Sequence, residues 1–543
     1  MATEPSSTSI DQQKLRLWPA VVTVLWAAIA VATLFTIPFD DHIQGWQRVV
    51  GSGIVLILAA ILLAVWLVFF SRMSWRGVAR TVVFCMVLLG MLVAVFRVRA
   101  FNGDMLPLLA PRGWVLSLFG APPQAGAEAL ANSADIDKLL TAGDRNYDVV
   151  EFLGPGRKPE FDIRLDPDWT SNAPEQLWRQ PAGEGFGSFS VVGNLAITQE
   201  QLAGGEQPGE AIVCYNFDTG EPLWRHVDEV YFTSGLGGNG PRATPTIDDD
   251  LVYSMGATGI LNCLRLTTGE SVWSRNILED NSAAVPMWGI SCSPLVVDDL
   301  VIVTGGDQGE GDTPHAVLLA YDKKTGEPRW RGLGKDNASY GSPQVATVAG
   351  IRQVMIFTAS QIVGHDLVTG KQLWMYEWPG NMPNVAQVVA LDDNRVFASK
   401  GYATGSVLLH LQANANGGID VAEQWRRKKL MKTKFTNAVL HDGYAYGLSD
   451  GRLECIDVED GKQQWKVRGD YGQGQVVRVG DHLLIQAESG DVALVNLNPE
   501  AHEEVARFSP LSARTWNYPV IIGDRLLVRN DQEMACYRLK LAE

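Results

Sequence analysis

A seven-residue phrase with a glycine turn and a terminal tryptophan recurs along this chain. It reads DTGEPLW at Trp224, and its further copies end at Trp273, Trp330, Trp374 and Trp465. Each copy follows a short apolar run, such as AIVCYNF before the first one. A strand, a tight turn and a second strand explain this order of residues, so the phrase predicts a β-hairpin with one large aromatic residue at a fixed place. Repetition of the hairpin indicates a repeat architecture.

The aromatic residues of the repeat give its period. Partial copies at Trp178, Trp425 and Phe508 fill the gaps, and successive aromatics are then separated by 40 to 57 residues. Short strands with such a period are typical of a β-propeller with four strands per blade. Eight segments with a polar start and an apolar continuation match the eight aromatics as inner strands, and they begin at Gly187, Ala243, Cys292, Gly341, Asn384, Thr436, Gly474 and Asn517. We therefore predict an all-β, eight-bladed propeller over residues 151–543, with the strand around Trp178 completing the last blade so that no sheet edge is left open.

The first hundred residues predict a membrane anchor. Three apolar runs at 18–37, 53–70 and 78–96 are each about as long as the roughly 20 residues that a transmembrane helix needs. Basic residues lie in the tail 1–17 and between the second and third runs, which places both in the cytoplasm by the positive-inside rule. Arg97 and Arg99 do not fit this orientation, and two spans with a buried third helix are the alternative. We assign 18–99 to the anchor and the Pro-, Gly- and Ala-rich residues 100–150 to a linker with one short helix near 136–140.

Charge and cysteine content exclude several classes of protein. The net charge of −16 and the pI near 5.0 argue against a nucleic-acid-binding surface. The six cysteines form no CxxC, no CxxCH and no cluster with zinc spacing. A disulfide framework, a c-type haem and a structural zinc are therefore disfavoured, and we predict no metal site.

The repeat resembles the PQQ-like (pyrroloquinoline-quinone repeat) β-propeller family, whose phrase joins a small residue, Asp, Thr-Gly and Trp. Ala320, Asp322, Thr325, Gly326 and Trp330 match it fully, and FLGPGR at 152–157 is similar to a lead-in found before such propellers in bacterial envelope proteins. The resemblance implies that the aromatics dock each blade on the next one, and a buried indole can contribute several kcal/mol of packing energy. These predicted docking residues are Trp178, Trp224, Trp273, Trp330, Trp374, Trp425, Trp465 and Phe508.

The same family contains quinoprotein dehydrogenases, which bind PQQ and calcium, and cofactor-free scaffolds, of which the BamB-like branch is one. Many of the dehydrogenases carry a pair of adjacent cysteines, and this sequence has none. Cys214, Cys263, Cys455 and Cys536 instead stand at a small-residue position of the repeat, as apolar filling would. We predict no cofactor, although scattered ligands for PQQ and calcium stay open from sequence alone.

Two groups of residues are candidate binding sites. The loops that enter the inner strands of a propeller surround one mouth of its channel, and here they carry Arg242, Trp288, Tyr340, Asn384, Gln387, Asn437, Gln475, Trp516 and Asn517. Polar residues at strand starts can equally satisfy turns and channel water. The second group is a basic patch that could attract phosphate, lipid headgroups or an acidic partner, or could be a solvated loop, and consists of Arg426, Arg427, Lys428, Lys429, Lys432 and Lys434.

No catalytic residues are predicted. The sequence favours a multi-pass protein of the bacterial inner membrane whose periplasmic propeller binds an envelope protein or peptide without catalysis. A membrane-bound PQQ-dependent dehydrogenase and a sensor of small ligands or polysaccharide are the alternatives. Fold alone does not separate these functions.

Overall fold

The computed structural model describes residues 17–36, 45–71, 73–112, 115, 133–141, 147–202, 208–307, 315–334, 336–380, 383–391, 393–415, 418–467 and 471–542. The chain divides into two compact units, Met1–Pro122 and Pro123–Glu543. The predicted cytoplasmic tail, apart from Leu17, and residues 116–132 of the predicted linker lie outside the described residues.

Among the described residues of the first unit there are three long helices, and each of them covers one of the apolar runs. Helix α1 spans Trp18–Thr36, α2 spans Gly45–Val65 with a π-helical turn at Trp66–Phe70, and α3 spans Trp75–Val95. Within the described residues, Gly51–Phe70 and Trp75–Val95 are long and apolar enough to cross a membrane, whereas the apolar part of α1, Trp18–Thr33, is shorter. Two of the three predicted spans therefore have the length and apolar composition that a membrane span needs.

A β-hairpin follows α3 where the sequence predicted the end of a span and a linker. Strands β1 (Phe96–Phe101) and β2 (Pro107–Pro111) pair antiparallel. Asn102 closes the turn, because its side-chain oxygen accepts hydrogen bonds from the backbone N–H groups of Asp104 (3.1 Å) and Leu106 (2.8 Å). The predicted short helix of the linker is present as α4, Ser133–Thr141, and its Ile136 is buried against the propeller.

The second unit is an eight-bladed, all-β propeller, as predicted. Seven blades take their four strands from consecutive sequence, and each runs antiparallel from the inner to the outer strand. Their strands are β5–β8 at Ser190–Val192, Leu195–Leu202, Gly209–Asn216 and Pro222–Asp228; β9–β12 at Thr246–Asp248, Leu251–Met255, Ile260–Arg265 and Ser271–Asn276; β13–β16 at Leu295–Val297, Leu300–Thr304, His315–Asp322 and Pro328–Gly334; β17–β20 at Gln344–Val348, Ile351–Phe357, Gln361–Asp366 and Gln372–Glu377; β21–β24 at Val389–Ala390, Arg395–Lys400, Gly405–Ala413 and Ile419–Arg427; β25–β28 at Val439–His441, Tyr444–Ser449, Arg452–Asp457 and Gln463–Lys466; and β29–β32 at Gln475–Val479, His482–Gln486, Val492–Asn496 and Glu504–Phe508. We number these blades 1 to 7.

Blade 8 closes the ring with a strand from the start of the propeller. Its inner three strands are β33 (Val520–Ile522), β34 (Arg525–Arg529) and β35 (Glu533–Arg538), and its outer strand is β4 (Glu175–Pro181). Cys536 pairs with Trp178 across β35 and β4, which confirms the predicted closure by the strand around Trp178. Strand β3 (Glu160–Phe161) adds a fifth, parallel strand to the inner edge of blade 7.

The small residue and the tryptophan of the repeat form a cross-strand pair. Cys214 lies opposite Trp224, Cys263 opposite Trp273 and Cys455 opposite Trp465, and the register shifts directly after each of these pairs. All five described cysteines of the propeller are buried and unpaired. A small side chain leaves room for the indole above it, so cysteine acts here as apolar filling.

Five indoles rest on the turn glycine of the following blade. At Gly269, whose φ is +70°, an added Cβ would lie 2.4 Å from the Trp224 ring, so only glycine fits both the turn and the indole. The Trp224 Nε1–H donates to the carbonyl of Leu266 at 2.9 Å in the same blade as Gly269. The other four pairs of this kind are Trp178 with Gly220, Trp273 with Gly326, Trp330 with Gly370, and Trp425 with Gly461.

Three of the predicted docking aromatics lack this glycine. Trp465 still donates to the carbonyl of Asn498 in blade 7 at 2.9 Å, but its ring packs beside His502. Trp374 folds over Gly364 of its own blade and donates to the Gln353 side chain, because the sequence of blade 5 has no Thr-Gly turn to receive it. Phe508 lies two residues beyond the equivalent position, which Ala506 occupies, and packs edge-on against Trp169 and Tyr537.

Candidate functional site

One end of the propeller channel is filled by residues 147–166, which we call the strap. Within the strap, Val149 forms a β-bridge with Val191 of blade 1, and Leu165 forms one with Leu541 after blade 8. Between them, β3 pairs with the inner strand of blade 7. Phe152 packs edge-on against Tyr518 of blade 8, with ring centroids 5.5 Å apart. The loops that enter the inner strands lie at the opposite end, which we call the open end.

Arg157 is the most deeply buried charged residue of the strap. Its guanidinium donates to the carbonyls of Ser293 (3.1 Å) and Pro343 (3.0 Å) and to that of Pro294, and its Nε lies 3.2 Å from a Glu151 carboxylate oxygen. Burial lowers the pKa of Arg157, and the Glu151 carboxylate opposes this shift. The residue thus ties the strap to the inner strands of blades 3 and 4.

A cavity of about 660 Å³ lies at the strap end between blades 8 and 1. Tyr147, Phe217 and Ile522 line it together with several charged side chains. The cations are paired with carboxylates: Arg525 with Asp218, Arg538 with Glu175 at 2.8 Å, and Lys540 with Asp166 at 3.6 Å. Each of these three cations is therefore neutralised by a carboxylate partner.

At the open end, short polar side chains join successive blades. The backbone N–H of Ser188 donates to Thr244 Oγ1 at 2.9 Å, that of Thr244 to Ser293 Oγ at 3.0 Å, and that of Ser293 to Ser342 Oγ at 2.9 Å. This relay runs from blade 1 to blade 4. The hydroxyls therefore satisfy the starts of the inner strands, as buried polar groups must.

The predicted amide residues of the mouth are buried and continue this ring. Asn384 donates to the carbonyls of Thr358 and Ala359, Asn437 accepts from the Gln387 backbone at 2.6 Å, and Gln475 donates to the carbonyls of Phe435 and Trp516. Asn517 closes the ring by donating to the carbonyl of Gly187 at 2.8 Å. The structure thus places Asn384, Gln387, Asn437, Gln475 and Asn517 between blades.

The aromatic residues of the mouth and Arg242 are partly exposed, whereas Arg514 is buried and lies 3.6 Å from Asp531. We call Phe186, Arg242, Trp288, Tyr340, Arg514 and Trp516 the collar. The Trp288 and Tyr340 rings lie 5.5 Å apart, and those of Phe186 and Trp516 lie 5.4 Å apart. Of the predicted mouth residues, Arg242, Trp288, Tyr340 and Trp516 therefore remain available for contact with a partner.

Two guanidinium groups flank the Phe186 ring. Arg242 Cζ lies 5.5 Å and Arg514 Cζ 5.1 Å from its centroid, and Arg514 also lies 4.1 Å from that of Trp516. Burial lowers the pKa of Arg242 to about 10, and the nearby Arg514 charge acts in the same direction. Arg242 donates to the carbonyls of Gly237 and Gly238, so it also holds the glycine-rich loop 234–240 over the collar. Arg514 was absent from the sequence-based prediction, and its place two residues before Trp516 was the available signal.

The structure divides the basic patch. Arg426, Lys428 and Lys429 are exposed, whereas Lys432 and Lys434 are buried. Lys432 Nζ lies 2.7 Å from Asp450 Oδ2, and Lys434 Nζ lies 5.7 Å from the Tyr402 ring centroid. Arg427 turns toward blade 6 and donates to the carbonyls of Asp460 and Gly461. Only the exposed three can meet a partner directly.

A calcium-bound quinone would need a cluster of oxygen ligands at the open end, with six to eight of them around the calcium ion. Among the described residues, no group of three or more His, Cys, Asp or Glu side chains could hold a metal ion. The side-chain nitrogens of Asn384, Gln475 and Asn517 donate to backbone carbonyls of neighbouring blades. Their side-chain oxygens are buried and have no hydrogen-bond partner within the part of the chain that the structure describes.

Comparison with known proteins places this propeller among PQQ-like folds. A family profile described as outer membrane protein assembly factor BamB matches residues 208–467, which run from blade 1 to blade 6. The chain is 21% identical over 346 residues to outer membrane protein assembly factor BamB of Shewanella oneidensis, covering 60% of this chain and 78% of that protein.

Similarity also extends to enzymes. Over 157 residues the chain is 31% identical to lupanine 17-hydroxylase [cytochrome c] of a Pseudomonas species, covering 28% of this chain and only 21% of that enzyme. Quinohemoprotein alcohol dehydrogenase from Comamonas testosteroni superposes with a TM-score of 0.53 at 12% identity, covering 76% of this chain and 85% of that one. The structural likeness shows the fold alone. Strand order and repeat register show an eight-bladed β-propeller, and these matches make it similar to the BamB proteins.

Proposed function

We propose that this chain is a membrane-anchored protein-interaction scaffold of the bacterial cell envelope. The observation that carries the proposal is that the open end has two groups of side chains, which differ in burial. Buried amides and hydroxyls there join the blades, while Phe186, Arg242, Trp288, Tyr340 and Trp516 of the collar are partly exposed. Tyr, Trp and Arg are the residues that dominate binding energy at protein interfaces.

The related BamB proteins support the same assignment, because their name describes an outer membrane protein assembly factor. In this proposal α1, α2 and α3 cross the inner membrane, and the propeller lies on its periplasmic side. Helices α2 and α3 have the required length and apolar composition. The basic residues of the tail and of the second loop set the orientation.

Photo-crosslinking in living cells tests the scaffold. Benzoylphenylalanine would replace Met287, which is 75% exposed at the open end, or Val368, which is 80% exposed in a hairpin turn at the strap end of blade 4. We expect protein adducts from position 287 and none from position 368, since only the open end is proposed to bind. Equal adducts at both positions, or none at position 287, would contradict the proposal.

The quinoprotein alternative is tested by adding PQQ and calcium chloride to the purified chain. The proposal expects no bound quinone absorbance and no dye reduction with alcohols or sugars. Substrate-dependent dye reduction would replace the scaffold by an oxidoreductase.

A further inference from the structure

Exposed apolar side chains gather at one sector of the open end. Tyr231 and Leu236 lie in the loop before blade 2, and Val285 and Met287 lie in the loop before blade 3; all four are more than a third exposed. The two loops touch, because a Cβ added to Gly237 would lie 2.8 Å from the Trp288 ring. These four residues therefore form one patch, which we call the apolar arc. Clustered exposed apolar residues mark interaction sites.

A row of aromatic rings leads from the apolar arc around the mouth. Trp288 packs against Tyr340 of the loop before blade 4, and Tyr402 lies in the turn between β22 and β23 of blade 5 at the same end. Tyr402 and its neighbour Ala403 both adopt left-handed backbone conformations, with φ of 55° and 60°. Such conformations cost energy for residues other than glycine. The turn thus holds a tyrosine at the mouth where glycine or asparagine would be favoured.

The row ends at the basic residues between blades 5 and 6. Lys434 lies against the Tyr402 ring, and the exposed Arg426, Lys428 and Lys429 precede it in the same connection. We call these three exposed residues the basic arc. Arg426 has Glu423 at 3.8 Å as its nearest carboxylate. On a chain with a net charge of −16, this concentration of positive charge selects for an acidic partner.

We propose that the open end binds a segment of a partner protein that carries apolar anchor residues followed by acidic residues. The apolar end would lie on the apolar arc at blades 2 and 3, the segment would cross the aromatic row, and its carboxylates would reach the basic arc. This inference rests on the proposed scaffold function and adds the chemistry of its partner. A peptide is favoured over a lipid surface because aromatic side chains lie between the two arcs, and aromatic residues are enriched at protein interfaces.

Selection of peptides tests this chemistry directly. A phage-displayed library of random 12-residue peptides would be panned against the full chain in phosphatidylcholine nanodiscs. The consensus peptide would then be synthesised and its binding measured by fluorescence anisotropy. We expect a consensus with aromatic or aliphatic residues on one side and Asp or Glu on the other. Binding should weaken as salt increases.

Variants at each arc locate the peptide. We expect Leu236→Glu/Met287→Glu and Lys428→Glu/Lys429→Glu each to weaken binding at least tenfold, and Val368→Glu at the strap end to leave it unchanged. The lysine variant alters only exposed side chains, so it stays informative if the apolar variant misfolds. Conserved tryptophan fluorescence and urea midpoints would establish that the variants are folded.

Several outcomes overturn the inference. A basic or uncharged consensus, binding that ignores both arcs, or a failure to select any peptide would do so. Capture of the nanodiscs by phosphatidylglycerol vesicles, lost in the same variants, would assign the surface to anionic lipid instead. Crosslinked protein at position 287 combined with any of these results would keep the scaffold and reject only this partner chemistry.

Discussion

Replacement of Arg157 by methionine tests whether the strap is an integral part of the propeller. The side chain donates to the Ser293 and Pro343 carbonyls in a fully buried setting, and the third carbonyl, that of Pro294, also accepts from Thr246 Oγ1 at 2.6 Å. Arg157→Met therefore removes the arginine donor from two buried carbonyls, each at a cost of about 1–3 kcal/mol. The substitution also leaves the Glu151 carboxylate without its ion-pair partner, while methionine spares the cost of burying a guanidinium charge, and these two effects offset each other in part. We expect a net decrease of about 3 kcal/mol in the free energy of unfolding.

Urea unfolding of the full chain in detergent, followed by tryptophan fluorescence, measures this loss. Lys158→Met is the matched control, since Lys158 is exposed beside Arg157 and surface substitutions usually change stability by less than about 0.5 kcal/mol. Limited trypsin digestion detects release of the strap from a propeller that remains folded. If Arg157→Met matches the control in both its urea midpoint and its digestion rate, the reasoning about the strap is wrong.

Four further predictions follow from the described contacts. Gly269→Ala should destabilise the propeller by about 1–3 kcal/mol more than Gly443→Ala, because both glycines have positive φ but only the first lies under an indole; urea midpoints give the difference. Glu210→Gln should stabilise the chain at neutral pH, because burial raises the pKa of the Glu210 carboxyl from 4.5 to about 7. Ionised Glu210 therefore lowers the free energy of unfolding: the loss grows as the pH rises from 4.5 to 7 and is constant above pH 7. The constant loss above pH 7 is about 3 kcal/mol. The melting temperature of Glu210→Gln should therefore exceed that of the unchanged chain by more at pH 8 than at pH 5. Alkaline phosphatase fused after Ala100 should be active if three helices cross the membrane, because the fusion point then lies in the periplasm. If a reporter that works only in the cytoplasm is active at this position instead, that topology is excluded. Trp224→Phe should cost more stability than Trp374→Phe in urea, because only the first indole donates to a neighbouring blade.

The strap changes the interpretation of the channel. An open channel would allow ligands to enter at either end, whereas here Phe152 and Arg157 fill one end and bond to the inner strands. Ligands would therefore enter the channel from the end that carries the collar. The lead-in FLGPGR, noted in the sequence for its resemblance, acquires a physical role as the part of the strap that enters the channel.

The sequence predicted where the candidate site residues stand on the inner strands. It did not predict which of their polar atoms are already hydrogen-bonded within the propeller. Asn384, Gln475 and Asn517 stand at inner-strand starts as expected, but their amide groups are bonded to neighbouring blades. Lys432 and Lys434 belong to a run of basic residues, yet Asp450 and Tyr402 come to them from distant positions in the chain. A local pattern gives the polarity of a residue, whereas its partner depends on contacts between residues far apart in sequence.

The sequence by itself determined the number of blades and the closure by the strand around Trp178. These features depend on period, on strand-length apolar runs and on turn glycines, all of which are local properties of the chain. Only the tertiary structure decided that Trp374 folds onto its own blade, that Ala506 takes the position expected for Phe508, and which end of the channel is open. It also brought Met287, Tyr402 and Lys428 to the same end of the propeller. Their proximity arises from the circular arrangement of blades, and no pattern along the chain encodes it directly.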